Sequence, residues 1–366
     1  MVKRRGMAAL ALGMSLVLAV IGCAEEDDFL IGGKRPASQK TPKPGASGGT
    51  GGNGGGSDVG GGIGTGDKPV ATPTPAPTPT PTPAPTPPSP GTIFTHVLQF
   101  EHPEGIAFDA EGNAWIACYG PGNTLSVVTK MAPDGTLLGE PPVGIGPKQV
   151  VVDPQGNAWV ANSGSNTVTR IARDDHQGTN VEVAAGPRAL AITPDGKELW
   201  VAAETVVAVD LATQATRSAV PHAAVGIAFQ GDKAWIAYQE SSSIGVYAMS
   251  GALEREVALG TPPGLVRANS DAVWVLTYNG AMRIDPETDA KRSIPLDRSQ
   301  DLVIGLNGDV WISQADSPKV ARYKPNGDWD AEISIGLTPH GLAFHPMTGY
   351  LWVTDRSFNR VRVYVP

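Results

Sequence analysis

The sequence predicts an all-β chain that ends in a seven-bladed β-propeller, and three observations carry that expectation. Seven tryptophans, Trp115, Trp159, Trp200, Trp235, Trp274, Trp311 and Trp352, each close a short turn and open a hydrophobic stretch. Their spacings of 44, 41, 35, 39, 37 and 41 residues give the period near 40 of a unit built from four short strands. Helical repeats of similar length would place apolar residues every 3.6 positions, and these units do not.

Within each unit the strands can be taken in order. The first is an apolar run such as GIAF, QVVV or GLAF, followed by a Gly, Asp or Asn turn and then the run carrying Trp. A third run (NTLSVVTKM, NTVTRIA, SIGVYAM, KVARYK, RVRVYV) and often a fourth (NVEVAA, EREVAL, AEISIG) complete the blade. The seventh unit stops at Pro366 after three strands. The segment HVLQFEHPEG at 96–105 aligns with EISIGLTPHG at 332–341, so Val97 to Phe100 is expected to supply the missing strand and close the ring. Trp329 falls outside the repeat register, in a turn before the fourth strand of blade 6.

The propeller is expected over residues 92–366, a single domain long enough for a sizeable core. Residues 1–22 read as a signal peptide: Lys3, Arg4 and Arg5, then the apolar run MAALALGMSLVLAVIG, too short for a confident transmembrane span. The ending Val20-Ile21-Gly22-Cys23 resembles the bacterial lipobox, which implies acylation at Cys23. Ala24 rather than Asp follows that cysteine, which points to an outer membrane where the cell has one. Residues 23–91 read as a tether, Gly-rich over 45–66 and Thr-Pro/Ala-Pro-rich over 68–90. The Gly part should span roughly 25 Å as a coil, and the Pro part about 70 Å as a polyproline rod.

The formal charge is −8, and cleavage before Cys23 removes three basic residues to leave −11. Over 92–366, 20 Lys and Arg face 30 Asp and Glu. An acidic domain without a basic stripe argues against nucleic acid. Glu25, Glu26, Asp27 and Asp28 would be repelled by anionic headgroups, so membrane contact is expected only through the lipid. Cys118 is the only other cysteine and is expected to pack as a small apolar residue.

The pattern P-x-G, an apolar pair, any residue, D-x-x-G-N-x-W, then Val or Ile and Ala or Thr, resembles the repeats of the virginiamycin B (streptogramin) lyase-like propellers, neighbours of the NHL group. WVANSGSNTVTRIA followed by GPRALAITPDGKELWVA resembles the YVTN repeat of YncE-like and surface-layer propellers. The likeness covers 103–366, but its matching residues are turn and packing positions. The lyase resemblance implies a histidine base and acidic residues around Mg²⁺ that open a lactone by elimination. Blade 6 here reads DVWISQADSPKV, without that catalytic pattern, so the activity is not carried across.

A site is therefore expected from the fold itself, at the face where the channel opens. The residues entering strand one of blades 1 to 7 are Glu104, Lys148, Arg188, Val225, Pro263, Gln300 and His340. Those after the Trp strand are Tyr119, Asn162, Glu204, Tyr238, Tyr278, Gln314 and Asp355. Of these, Glu104, Lys148, Arg188, Gln300, His340, Asn162, Tyr238 and Asp355 are the expected ligand contacts, suited to a peptide, an envelope protein or a polar small molecule. Ring closure brings blade 7 against blade 1, so His340 and Glu104 are expected as neighbours, a minimal general-base pair, with Asp355 and His102 near them. The DAEGN and DPQGN turns have hairpin rather than calcium-loop spacing, and no metal or other cofactor is expected; Mg²⁺ would enter only with lyase chemistry. The leading expectation is a lipid-anchored, extracytoplasmic, monomeric binding module; the alternative is a lyase- or lactonase-type enzyme.

Overall fold

The computed structural model describes residues 88–98, 101–119, 126–175, 177–315, 317–336 and 338–366. The expected signal peptide, the Cys23 lipidation site and nearly all of the tether lie outside the described residues.

The described chain forms seven four-stranded antiparallel sheets arranged as a β-propeller. Blade 1 runs from Glu101–Phe108 through Ala114–Tyr119 and Ser126–Met131 to Leu137–Gly139. Blade 7 is the composite one: Pro339–Phe344, Leu351–Asp355, Arg360–Tyr364 and, from the other end of the propeller, Ile93–Val97. Ile93 pairs with Tyr364 and Val97 with Arg360, antiparallel and without a shift. The closing strand thus starts earlier than the Val97–Phe100 expected. The alignment that suggested it was nonetheless in register, because it matches Ile93–Val97 to the start of the fourth strand of blade 6, Trp329–Ser334. The apolar residues Val97 and Leu98 drew the expected strand too far along the chain, and its last two positions, 99 and 100, lie outside the described residues. Trp329 itself opens the blade 6 strand and is exposed.

The repeated tryptophans sit at the second strand with their side chains in the spaces between blades, 0 to 3% exposed. Seven apolar clusters are found among the described residues, and each joins one blade to the next. In blade 1, Asp109 accepts hydrogen bonds from the Asn113 backbone N–H (2.8 Å), the Asn113 amide (2.9 Å) and the Trp115 indole N–H (3.1 Å). Asp153 does the same for Asn157 and Trp159 in blade 2. The D-x-x-G-N-x-W motif is therefore a hairpin that locks its own tryptophan, with Gly112 and Gly156 supplying the left-handed turn residue. A cation caps the other side of several rings: Lys130 lies 4.3 Å from the Trp115 centroid, Arg255 5.3 Å from Trp235 and Arg322 5.4 Å from Trp311.

Cys118 is buried, with the Thr129 hydroxyl 3.8 Å from its sulfur, and burial pushes its thiol up to about 12. It should resist thiol reagents in the folded protein and react only on unfolding. A chain starting at Leu98 should lose about five ladder positions at roughly 0.5–1.5 kcal/mol each. Urea unfolding followed by tryptophan fluorescence should show a midpoint shifted down accordingly; an unshifted midpoint would rule out closure by Ile93–Val97.

Candidate functional site

The innermost strands start together on one face of the ring. Their register is fixed by the tryptophans, since Ala107, Val151, Ala191, Ala228, Arg267, Val303 and Ala343 pair with the Trp of their own blades. Three residues upstream stand Glu104, Lys148, Arg188, Val225, Gly264, Gln300 and His340. Gly264 replaces the expected Pro263 because the first hairpin of blade 5 is shorter, with Arg267 pairing to Trp274 seven residues on where Ala107 pairs to Trp115 eight residues on. These residues lie at the beginning of the strands, mostly inside them rather than ahead of them.

Three nitrogens converge on Glu104, whose side chain is only 3% exposed. His340 Nε2 stands 3.3 Å from its Oε2, while Arg356 Nε and Lys148 Nζ stand 3.6 and 3.9 Å from its Oε1. Oε1 is buried and accepts no hydrogen bond among the described residues. His340 is 24% exposed, and with Nε2 turned to the carboxylate, Nδ1 is the ring nitrogen left to meet a ligand.

The backbone around this cluster is clasped from blade to blade. The Thr354 hydroxyl donates to the Glu104 carbonyl (2.9 Å) and accepts from the Gly341 N–H (2.7 Å), and the Ser313 hydroxyl donates to the His340 carbonyl (2.8 Å). A Cβ on Gly341 would collide with the Glu104 carbonyl, and one on Gly105 would come within 2.7 Å of the Lys148 carbonyl. The glycine of P-E-G and P-H-G is thus required by close approach of neighbouring first strands.

Asp301 of blade 6 extends the site. Its carboxylate accepts from the Leu302 and Leu342 N–H groups, both at 2.8 Å, and faces Arg267 at 3.4 Å. Burial nevertheless raises its carboxyl above the ordinary range, with Arg267, the two N–H groups and His340 opposing that rise.

The other expected contacts divide by strand geometry. Arg188 and Gln300 are exposed, with no side-chain partner among the described residues, and Lys148 is half-buried beside Glu104 and 5.6 Å from the Tyr119 ring. Asn162, Tyr238 and Asp355 do not face the mouth. Asn162 is fully buried and donates to Thr167 (3.1 Å) and Thr169 (2.7 Å). The Tyr238 hydroxyl is bonded to Tyr247 at 2.6 Å between blades 3 and 4, where burial raises its pKa. Asp355 pairs across the sheet with Pro339, next to His340, but its buried carboxylate is engaged by Arg360 (3.0 Å) and Arg362 (3.7 Å). His102 instead donates its backbone N–H to the Asn359 side chain, with its ring 6.2 Å from Tyr119.

The physical reason is the two-residue alternation of a strand. All three of those residues lie three positions after their Trp and turn between the blades, whereas the fourth position reaches the rim. That position holds Tyr119, Glu204, Tyr278 and, in blade 7, Arg356, which the reading of the sequence passed over.

A divalent cation does not fit here. No group of three or more His, Cys, Asp and Glu side chains converges among the described residues, and Glu104 already faces three nitrogen groups.

No protein-family model matches the chain, and no curated protein matches it either. Solved structures do. A streptogramin B lyase structure is 18% identical with a TM-score of 0.64, over 74% of this chain and 96% of that one. Selenomethionine-substituted virginiamycin B lyase from Staphylococcus aureus is 17% identical with a TM-score of 0.65, over 75% and 99%. Hydrazine synthase of Kuenenia stuttgartiensis is 16% identical with a TM-score of 0.62, over 74% and 97%. Proteins of such different names share this architecture, so the likeness establishes the fold alone.

A carboxyl with a raised folded-state pKa holds its proton at pH values where the unfolded chain has released it. Stability from Asp301 therefore falls as pH rises from the ordinary carboxylate range through the folded value. Asp301→Asn keeps an acceptor for Leu342 and should flatten that fall in urea titrations run upward from about pH 4.

Proposed function

We propose that the protein is a lipid-anchored, extracytoplasmic propeller that recognises a partner through the channel mouth between blades 6, 7, 1 and 2. The observation that carries this reading is the buried Glu104 carboxylate faced by His340, Lys148 and Arg356. One carboxylate among three nitrogens, with Arg188 exposed on the same rim, leaves local positive charge in a domain that is acidic overall. An anionic group on a peptide or small polar molecule suits that field. The charged n-region, short apolar run and Cys23 support the anchor, and the Gly- and Pro-rich stretches support a spacer between membrane and propeller.

A second reading rests on one contact. His340 held at 3.3 Å from Glu104 has the arrangement of a base oriented by a carboxylate, with Nδ1 as the proton acceptor. Lys148 or Arg356 would then steady an oxyanion, giving metal-free lactone opening or elimination. The lyase-like fold adds weight to this reading. A catalytically inactive histidine-to-alanine variant of the Staphylococcus aureus lyase is among the similar structures, solved with quinupristin, at 17% identity and a TM-score of 0.64.

Calorimetry on the full-length protein should separate a short peptide with a free acidic C-terminus from its amide, the free acid binding at least about tenfold tighter. Arg356→Ala and Lys148→Ala should reduce that difference. Equal binding of the two peptides would reject the anionic ligand. Quinupristin incubated with the wild type and with His340→Ala tests the second reading: a ring-opened product formed only by the wild type supports it, and no product removes it. In cells, labelled fatty acid should enter the wild type and not Cys23→Ser, and equal labelling would refute the anchor.

A further inference from the structure

On the face opposite the mouth, between blades 4 and 5, lies a cavity of about 430 Å³ lined by Gln230, Asp232, Lys233, Trp235, Arg255, Glu287 and Asp289, with Pro286. Its distinguishing feature is a donor both unbonded and sealed from solvent: the indole N–H groups of blades 5, 6 and 7 also make no hydrogen bond among the described residues, but of the seven only that of Trp235 is buried without a partner. In blades 1, 2 and 3 the tryptophan indole N–H is held by a carboxylate of the same blade: Asp109, Asp153 and Glu198, at 3.1, 2.9 and 3.0 Å. In blade 4 the indole N–H of Trp235, a residue 1% exposed, has no partner. Two substitutions explain this. Gln230 stands where Asp109 and Asp153 stand and turns its amide to the Ser270 carbonyl of blade 5 (3.1 Å), while Lys233 stands where Glu198 stands. A buried donor left unpaired is costly, and here it belongs to a residue that lines a cavity.

We propose that this cavity is a second ligand site, and that its ligand is a neutral, polyhydroxylated molecule of the saccharide class that accepts the Trp235 N–H. The charges of the wall decide the class. Arg255 is committed to Asp289 (3.0 Å) and to the Pro286 carbonyl (2.9 Å), and Lys233 to Glu254 (2.6 Å), so the cations offer little to an anion. Glu287 and the exposed Asp232 would repel one. A cation would find carboxylates but no use for the orphan donor. Sugar hydroxyls do both: one accepts from the indole while others donate to Glu287, Asp232 and the Gln230 carbonyl oxygen. Because Arg255 covers the Trp235 face, the sugar meets the ring at its N–H edge rather than by stacking. The volume suits a unit of one or two sugar rings.

The test uses the full-length protein with N-acetylglucosamine and glucose as separate probes. Trp235→Phe removes the N–H together with the pyrrole part of a fully buried ring, so the variant should fold but melt below the wild type, and its binding is measured well below its own melting temperature. In ¹⁵N NMR one indole resonance, absent from Trp235→Phe, should shift saturably with one of the sugars at roughly millimolar concentration. Binding should weaken by at least about tenfold in Trp235→Phe. Glu104→Gln, altered only at the mouth, should bind the sugar as the wild type does. Absence of a saturable shift with either sugar would leave a bound water as the donor's partner and overturn the proposal. So would equal binding by Trp235→Phe, or a shift produced by acetate but by neither sugar.

Discussion

Closure of the ring is the constraint on which the rest of the molecule depends. Each blade buries its apolar faces only against its two neighbours, so an open array would leave the outer faces of blades 1 and 7 in water. Pairing Ile93–Val97 with Arg360–Tyr364 supplies the last strand of blade 7 from the opposite end of the domain and covers an edge that would otherwise be free to aggregate. The apolar cluster that includes Leu98, Ile106, Trp352 and Val361 is the seam so formed. Glu104 and His340, 236 residues apart in the chain, are neighbours only because of it.

The candidate site is built from departures from the repeat at that seam. Two residues after the Trp, blades 1 to 4 carry Ala117, Ala161, Ala202 and Ala237, which only pack. Blades 6 and 7 carry Ser313 and Thr354 instead, and both hydroxyls fix the carbonyl of the rim residue in the following blade. The rim positions whose backbone is held in this way are His340 and Glu104. Asp301 adds a side-chain clasp to Leu342 that mirrors the one from Gln149 to Leu190 between blades 2 and 3. Such bonds restrict the strand ends and so fix the separation of the imidazole and the carboxylate.

Most of the architecture was legible in the sequence because it is written seven times. The Trp spacing, the Gly-containing turns and the strand missing after Pro366 each follow from local chemistry that every blade must satisfy. The His340–Glu104 pair was legible for the same reason, since closure and register are both properties of the repeat. Asn162, Tyr238 and Asp355 were misplaced because nothing in the sequence marks where the Trp strand ends, and a slip of one position, from the fourth residue after Trp to the third, turns a side chain from the rim into the space between blades. Arg356 was lost to the same slip. The unpaired Trp235 indole was not legible at all, because Gln230 and Lys233 are ordinary polar residues until the bond missing beside them is seen.

The burial of Glu104 is what singles out the mouth among the seven strand ends as a candidate site. Desolvating a carboxylate costs several kcal/mol unless good hydrogen bonds and ion pairs offset it. Here the offset is partial, with one oxygen receiving no hydrogen bond and its two ion pairs at 3.6 and 3.9 Å. The fold does not require the cost, since the corresponding position is Lys148, Arg188, Val225, Gly264, Gln300 or His340 in the other six blades, each compatible with the same strand. Asp109 and Asp153 are buried too, but they are compensated by three and four bonds that hold a hairpin and its tryptophan. A buried charge that the architecture does not need, held on a clasped backbone and faced by nitrogens that reach solvent, is the kind of partly compensated arrangement that is concentrated at functional sites.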